Sequence, residues 1–422
     1  MLNLKYVLSN TDTVRKNLVN RGFNIDIYDR FVELAQQRGK LMNLSQTKKS
    51  ELTNLSKEFG KFKNDPQALA QIKEKIANIK KEETELSKQT DELNNEINEL
   101  ILQIPNTTLD EVPVGADENE NIVLNTYDKL GRGLVKDVLP HYEIAKQLDI
   151  IDLERATKLS GSRYVIYKNA GSRLIRALIN FMLDLHATKG YNEFNTPVIV
   201  KADMLYGTGQ LPKFKEDLYK LEGVDEYLIP TAEVTLTNYY NSEIINLSTP
   251  FRATGYTECF RSEAGSSGKD TRGILRQHEF KKIELVKVTK EEDAIKEFEL
   301  MLEDAKDVLT KLEIPFRELL LCTGDLGFSS RKTIDLELWL PSEQRFREVS
   351  SVSYMGDFQA RRAMIRYRNE EGKTEYAHTM NGSGVAIDRV IAALLEIYQN
   401  EDGSITVPTV LVPYMGGMTV IK

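Results

Sequence analysis

Residues 259–285, CFRSEAGSSGKDTRGILRQHEFKKIEL, are the stretch of the sequence that best indicates the fold. Two segments with strand-like composition, TECFRSE and HEFKKIELV, enclose a loop rich in Gly, Ser, Lys, Asp and Arg. If both segments are strands, Ile283 and Leu285 face the core, because alternate side chains share a face. The same alternation groups further side chains on shared faces: Arg261 with Glu263, and Phe280 with Lys282 and Glu284.

A sheet face with these side chains suits a nucleotide bound together with a zwitterion. An aromatic ring can stack on a base, arginine can pair with phosphate or carboxylate oxygens, and a carboxylate can receive ammonium or hydroxyl protons. The alternative is an ordinary solvated hairpin, which the segment alone does not exclude. A P-loop is excluded, because Glu263 stands where that motif needs glycine and Asp270 follows Lys269.

The composition narrows the class of protein. The chain has 422 residues, of which 41% are hydrophobic and 28% charged, and a formal charge of -8. We expect two or three domains and a cytoplasmic location, because no apolar run approaches the ~18 residues of a membrane span and the N-terminal segment lacks a secretory signal pattern. The Cys and His residues lack metal-ligand spacing, so we expect any metal to enter with a substrate.

A long helical hairpin is predicted from about Tyr28 to Ile104, where Gly and Pro are nearly absent. Its second half repeats apolar residues at alternating steps of four and three, with gaps at Glu83 and Thr90. Asn64, Asp65 and Pro66 supply turn chemistry between the halves, so we expect an antiparallel rod about 55 Å long. Periodicity leaves open whether this arm dimerises, acts as a spacer or binds a partner through its lysines.

The remainder predicts an α+β fold. Pro105 and Pro113 end the rod, which suggests domains at 1–110 and 111–422. Strand-like runs are then mixed with helical segments near 171–189 and 291–312, without regular alternation. This order favours an antiparallel sheet flanked by helices over a doubly wound parallel sheet. The strand-like runs are TPVIV, EYLIP, FRATGYTECF, FKKIELVKV, TIDLELWL and AMIRYR.

Two further stretches place polar groups beside helices. Residues 230–240, PTAEVTLTNYY, carry Thr231 and Glu233 before an amphipathic run, and helix capping is the alternative to binding. Residues 378–396, HTMNGSGVAIDRVIAALLE, pass from a small-residue turn into a helix with Arg389 in its early turns. That arginine can meet a terminal phosphate, although a capped surface helix has the same pattern.

A third stretch offers oxygen ligands. In residues 346–362, FREVSSVSYMGDFQARR, Glu348 stands close to Ser350 and Ser351 after a predicted strand. Hard oxygen ligands of this kind suit Mg²⁺ held jointly with phosphates. A serine-rich loop is the other interpretation.

Together these stretches resemble the class II aminoacyl-tRNA synthetases and, within them, the seryl-tRNA synthetase family. Residues 260–284 are similar to the second class motif, 381–396 to the third, and 190–214 to the first, with Pro197 at a dimer interface. PTAEV is similar to the serine-specific loop, and the N-terminal hairpin is the feature that distinguishes the family. Two residues depart from the usual pattern of the family, namely Asp388 and Val412.

The resemblance implies an enzyme that activates L-serine with ATP and transfers serine to the terminal ribose of serine tRNA. It implies a class II antiparallel catalytic domain with an N-terminal coiled-coil arm that grips tRNA, a homodimer, and Mg²⁺ with ATP. It leaves open whether a selenocysteine tRNA is also served. The rival classes are a P-loop-type NTPase with a coiled-coil arm, a structural coiled-coil protein with a degenerate globular end, and a class II synthetase for another small amino acid.

The resemblance also assigns roles to individual residues. The catalytic residues implied are Arg261, Glu348 and Arg389, and Mg²⁺ would be held by Glu348 and Ser351. Serine would be bound by Thr231, Ala232, Glu233, Arg261, Glu284, Asn381 and Ser383, with Glu284 and Ser383 as candidates for its hydroxyl. ATP would be bound by Arg261, Ser262, Glu263, Phe280, Glu348, Val349, Ser350, Ser351 and Arg389, with Phe280 and Arg389 on the two faces of adenine. At the hairpin tip, Lys269, Asp270 and Arg272 are candidates for contact with the tRNA acceptor end.

Overall fold

The computed structural model describes residues 1–59, 66–129, 131, 135, 137–265 and 272–422. The described α-helices are α1 (Leu4–Ser9), α2 (Thr11–Asn20), α3 (Ile25–Phe59), α4 (Pro66–Ile101), α5 (His141–Gln147), α6 (Leu153–Ser160), α7 (Asn169–Thr188), α8 (Ala202–Thr208), α9 (Glu233–Thr237), α10 (Glu291–Lys311), α11 (Phe358–Ala363) and α12 (Ile387–Ile397). They belong to two compact units, Leu2–Pro105 and a larger one made of Met1 with Asn106–Lys422. No helix within the described residues is long and apolar enough to cross a membrane.

The strands lie in the larger unit. They are β1 (Ile122–Tyr127), β2 (Asn192–Glu193), β3 (Ile199–Lys201), β4 (Glu226–Leu228), β5 (Ile244–Ile245), β6 (Phe251–Phe260), β7 (Glu279–Thr289), β8 (Phe316–Leu320), β9 (Lys332–Leu340), β10 (Arg345–Gly356), β11 (Arg366–Arg368), β12 (Thr374–Tyr376), β13 (His378–Ala386), β14 (Ile405–Thr406) and β15 (Val420–Ile421).

The predicted helical hairpin is confirmed by α3 and α4. Ion pairs join Arg30 to Glu96 at 3.0 Å and Lys48 to Glu82 at 2.8 Å. The partner on α4 moves back along the chain as the residue on α3 moves forward, so the helices are antiparallel. Pro66 begins α4, where a missing N–H is tolerated; the other turn residues, Asn64 and Asp65, lie outside the described residues.

The α+β prediction is also confirmed. An eight-stranded sheet has the order β1-β8-β9-β10-β13-β7-β6-β2, and all its neighbours are antiparallel except β2 and β6. Ile283 and Leu285 on β7 are fully buried in the main core, as alternation predicts. The same core contains Leu178 of α7, Phe298 of α10 and Leu394 of α12. These helices therefore cover one face of the sheet and leave Phe280 and Lys282 on the other.

The first predicted strand of the hairpin was too long. β6 ends at Phe260, and Arg261 and Glu263 lie beyond it. The Arg261 N–H still donates to the His278 carbonyl at 2.9 Å, but Glu263 has a φ of 55°, in the left-handed region. The chain leaves the sheet at this point, so strand alternation does not explain where these two side chains lie.

The predictions around the other two motifs need correction as well. Glu348 and its neighbouring serines lie within β10, not after a strand, and the small-residue turn at 381–384 is part of β13. Glycine is needed in β13 for close packing: a Cβ on Gly384 would lie 2.8 Å from the Nε2 atom of His186. Sequence alone does not distinguish a glycine that packs from one that turns.

Candidate functional site

A cavity of about 230 Å³ lies beside β7, β10, β13 and the start of α12. It brings together most of the side chains that the sequence singled out. The predicted residues that line it are Thr231, Glu233, Arg261, Glu263, Phe280, Glu348, Val349, Ser351, Asn381, Ser383 and Arg389. The structure therefore brings the segments 230–240, 259–285, 346–362 and 378–396 together in one site.

Four predicted residues do not line the cavity. Ala232 packs in a small apolar cluster, and the hydroxyl of Ser262 donates to the Glu216 carbonyl at 2.6 Å. The hydroxyl of Ser350 donates to the Ser383 carbonyl at 2.5 Å, which ties β10 to β13. Glu284 is fully buried behind the lining. These side chains support their neighbours and do not face the cavity.

A β-bulge explains how Glu348 and Ser351 both reach the cavity. Residues three apart on a regular strand face opposite sides. The register of β10 on β9 shifts between Glu348 and Ser350, so Val349 is an extra residue and the alternation is reset. Because of the bulge, the Glu348 carboxylate and the Ser351 hydroxyl both line the cavity.

Asp335, which sequence reasoning missed, lies opposite Ser351 in the ladder. Burial and the nearby charge of Glu348 raise its pKa well above the usual range, against the effect of a hydrogen bond from Ser351. The signal in the sequence was a carboxylate between apolar residues of the strand-like run TIDLELWL.

Arginines form a second part of the lining. The Arg261 guanidinium lies 5.0 Å from the centroid of the Phe280 ring, and its Nε donates to the Pro230 carbonyl at 3.4 Å. Arg389 donates to the carbonyls of Leu275 at 3.2 Å and Glu348 at 2.5 Å. It thereby connects α12 to β10 and to the segment that precedes β7.

Glu263 has a protein partner that was not predicted. Arg276 lies 2.6 Å from its carboxylate and also lines the cavity. Arg272, predicted to be at the hairpin tip, lines a neighbouring cleft together with Arg276. Lys269 and Asp270 lie outside the described residues.

Glu284 organises the floor of the site through three donors. Its Oε2 atom accepts from the Thr231 hydroxyl at 2.8 Å and lies 2.5 Å from the Lys282 ammonium. Its Oε1 atom accepts from the Asn381 amide at 3.1 Å. Lys282 was grouped with this face but given no role by the sequence, although a lysine that shares a half-buried strand with Glu284 is a signal of a buried ion pair.

Thr231 lies one residue before Ala232, the N-cap of α9, so the capping interpretation holds only loosely. Its hydroxyl accepts the N–H of Glu233, the first residue of the helix, at 3.1 Å. The same oxygen accepts from Lys282 at 2.8 Å. A hydroxyl has two acceptor positions and one donor, so Thr231 is saturated by Glu233, Lys282 and Glu284.

The pKa of the Glu233 carboxyl lies near neutral pH. Burial and the charge of Glu284 raise its pKa to about 7. A hydrogen bond from Gln359 and the charges of Lys282 and Arg261 act in the opposite direction.

Asp388 and Val412, the two residues that depart from the family pattern, both make contacts in the structure. Asp388 accepts hydrogen bonds from the Tyr167 hydroxyl at 2.5 Å and from the Lys281 N–H at 2.8 Å. It therefore ties α12 to β7 beside Phe280. Val412 packs partly buried against the main core.

Comparison with known families finds two matching models. Residues 1–108 match the seryl-tRNA synthetase N-terminal domain, and residues 218–398 match the tRNA synthetase class II core domain (G, H, P, S and T). The second match contains most of the cavity residues.

Full-length relatives agree with these matches. The chain is 60% identical to a serine--tRNA ligase of Mycoplasmopsis agalactiae over 99% of both chains, and 54% identical to that of Metamycoplasma arthritidis over 100% of both. Among solved structures, the seryl-tRNA synthetase of Pyrococcus horikoshii complexed with ATP superposes with a TM-score of 0.94 at 33% identity, covering 100% of this chain and 99% of the other.

Proposed function

Because the chain belongs to the seryl-tRNA synthetase family, we propose that it activates L-serine with ATP and then charges serine tRNA. The observation that carries this proposal is the cavity beside β7, β10 and β13, whose lining combines arginines, an aromatic ring and carboxylates. These groups suit a nucleoside triphosphate and an amino acid bound side by side.

The reaction needs little covalent chemistry from the protein. A carboxylate oxygen of serine attacks the α-phosphorus of ATP, the bond to the β-phosphate oxygen breaks, and pyrophosphate leaves. A terminal ribose hydroxyl of the tRNA then attacks the seryl carbonyl, and AMP leaves. Catalysis of the first step is positioning and charge stabilisation, and Arg261 would bridge the serine carboxylate and the α-phosphate as charge accumulates there.

The ATP part of the site would use the residues between β7 and α12. Phe280 and Arg389 would hold the adenine ring from its two faces, Arg389 would also approach the γ-phosphate, and Glu263 would anchor the nucleotide. Since Arg261 occupies one side of the Phe280 ring at 5.0 Å, we expect it to move toward the phosphates when ATP binds. Ser262, Val349 and Ser350 would act through backbone or neighbouring groups.

Mg²⁺ would be held by Glu348 and Ser351. The residues fit, because the bulge directs a carboxylate and a hydroxyl into the cavity and leaves other ligand positions to phosphates and water. The ion supplies charge neutralisation on the phosphate oxygens. Glu348→Gln should raise the Mg²⁺ concentration needed for half-maximal activity about tenfold, whereas Glu337→Gln, across the ladder, should not.

The serine part of the site offers a hydrogen-bond donor, Lys282, and an acceptor, Asn381, to the serine hydroxyl. A lysine ammonium has three donors, and Lys282 uses two of them on Glu284 and Thr231. The Oδ1 atom of Asn381 is a buried acceptor without a partner among the described residues. A serine hydroxyl would accept from Lys282 and donate to Asn381, with Glu284 fixing both groups and Ser383 beside them. Alanine would leave them unpaired, which explains how it is rejected.

The ammonium group of serine would be received by Glu233. Thr231 has no acceptor position left in this structure, so its contribution to serine binding would pass through Lys282 and the start of α9. Ala232 would contribute backbone only.

The tRNA and the second subunit complete the proposal. Residues 1–110 would form the tRNA-binding domain and 111–422 the catalytic domain, with exposed lysines of α3 and α4 contacting the RNA backbone. Apolar side chains exposed at Ile199, two residues after Pro197, and at Tyr239 would be covered in a homodimer. The proposed location is cytoplasmic.

One assay distinguishes this function from its rivals. Pyrophosphate exchange is measured with serine, threonine, alanine, glycine and proline. We expect exchange with serine and far less with the others. Exchange with none of them would exclude a synthetase, and exchange with threonine alone would exclude the specificity. Charging of serine and selenocysteine tRNA transcripts then defines the RNA substrates.

A further inference from the structure

A buried hydrogen-bond chain holds the Glu233 carboxylate from behind. Gln359, on α11, is 0% exposed, and its Nε2 atom donates to Glu233 Oε1 at 2.6 Å and to the Thr208 carbonyl at 3.1 Å. Its Oε1 atom accepts from the Thr379 hydroxyl at 2.7 Å. A backbone carbonyl can only accept, so the Thr208 contact fixes the amide with its NH₂ group toward Glu233.

A second, weaker donor reaches the other oxygen of the carboxylate. The Nε2 atom of Gln210 lies 3.4 Å from Glu233 Oε2, close to the limit for a hydrogen bond. Each oxygen therefore has an amide donor on the protein side. A carboxylate oxygen has two lone pairs, so each retains one for a donor in the cavity.

We propose that Gln359 is a positioning residue for the substrate ammonium group: it fixes the direction of the Glu233 carboxylate and favours its ionised form without touching the substrate. This inference rests on the function proposed above. Glu233 is buried beside a second carboxylate, and both conditions oppose ionisation. A short N–H to carboxylate hydrogen bond is among the stronger contacts that offset them.

The charged surroundings of Glu233 leave a specific task for this amide. The charged groups acting on its pKa are Glu284, Lys282 and Arg261. On α11 itself the charged side chains have other partners: Arg361 pairs with Asp357, and Arg362 donates to the Leu211 carbonyl. Gln359 is thus the side chain through which α11 acts on the carboxylate.

The test is the pH dependence of serine-dependent pyrophosphate exchange in the full-length Gln359→Met variant. Methionine keeps the length of the side chain and removes the donor. In the unsubstituted protein, KM for serine should fall as pH rises through about 7, because Glu233 ionises there. In the variant this inflection should move upward, and KM for serine at pH 7 should rise about tenfold. The values of kcat and KM for ATP should stay unchanged, as for lost ground-state binding.

Two further variants keep the test decisive. Gln399→Met makes the same substitution beside Leu139, away from the cavity, and should leave the pH profile unchanged. Thr379→Val removes the hydroxyl that donates to Gln359, so it should act on Glu233 through Gln359. We expect a smaller upward shift of the inflection than in Gln359→Met. This variant provides the test if Gln359→Met does not fold. An unmoved inflection in the folded variants, or an equal rise in KM for ATP, would overturn the proposal. Absence of serine exchange in the unsubstituted protein would overturn the proposed function instead.

Discussion

Lysine and glutamate form close pairs in both units of the molecule, with different consequences. In the helical unit, Lys48 lies 2.8 Å from Glu82, and the side chains are 25% and 55% exposed. In the floor of the site, Lys282 lies 2.5 Å from Glu284, and the side chains are 9% and 0% exposed. Water screens the first pair, which therefore contributes little to stability. Removing one partner of the second leaves a buried charge, so burial decides what the same residue types do.

The largest effects are expected when the cavity and the helical unit are altered separately. Arg261→Ala should lower serine-dependent pyrophosphate exchange by about 10³-fold or more, because a cation is lost where negative charge accumulates. Deleting residues 28–104 should leave exchange near its full value and cripple charging of serine tRNA. Both are measured on the same preparations by exchange and by aminoacylation.

Arg345→Ala is the control for the arginine substitution. Arg345 lies on β10, its side chain is 56% exposed, and it pairs with Glu343 outside the cavity. Exchange by this variant should be unchanged. If the deletion left charging intact, the assignment of the arm to tRNA would be wrong.

The second test compares the two lysines directly. Lys282→Met should lower the free energy of unfolding by about 3 kcal/mol, because Glu284 would remain buried without its cation. It should also raise KM for serine. Lys48→Met should leave the free energy of unfolding unchanged within experimental error, since its pair is solvated. Chemical denaturation of both variants, followed by far-UV circular dichroism, measures the difference; equal losses would contradict it.

The sequence indicated the helical unit more completely than the site, for a physical reason. A seam of period 3.5 is a local property. Its gaps at Glu83 and Thr90 are half-buried like the seam residue Leu86 between them, whereas the other residues from 84 to 89 are exposed. The site depends on contacts between distant strands. The bulge at Val349 and the position of Lys282 over Glu284 follow from register and burial, which no single segment encodes.

The dependence on distant contacts also explains where the prediction of the β6–β7 hairpin was wrong. Alternation predicted the core positions Ile283 and Leu285 correctly, because β7 is regular there. It failed at Arg261 and Glu263, where the chain leaves the sheet. It also placed Glu284 on an accessible face, whereas other elements bury it completely.

A third test uses the raised pKa of Glu233. An acid whose pKa rises from 4.5 to about 7 on folding lowers stability as pH rises between these values. The loss of stability from ionising buried Glu233 is absent below pH about 4.5 and is fully present above pH about 7. Glu233→Gln should therefore raise the free energy of unfolding by about 3 kcal/mol at pH 8 and leave it nearly unchanged at pH 4.5. Thermal unfolding at the two pH values measures this. A gain of equal size at both would show that ionisation is not the cause.

The smallest effect is expected in the helical unit, where a polar side chain interrupts the apolar seam. The Thr90 hydroxyl donates to the Leu86 carbonyl at 2.7 Å within α4, so it needs no partner from α3. Thr90→Leu should stabilise the hairpin by about 1 kcal/mol through added apolar burial. Leucine also suits a helix better than threonine. Thr84→Leu, at an exposed position of the same helix, is the matched control and keeps the propensity gain without the burial. The two variants are compared by the thermal midpoint of the helical signal. An equal shift in both would mean that propensity, and not the seam, limits the stability of the arm.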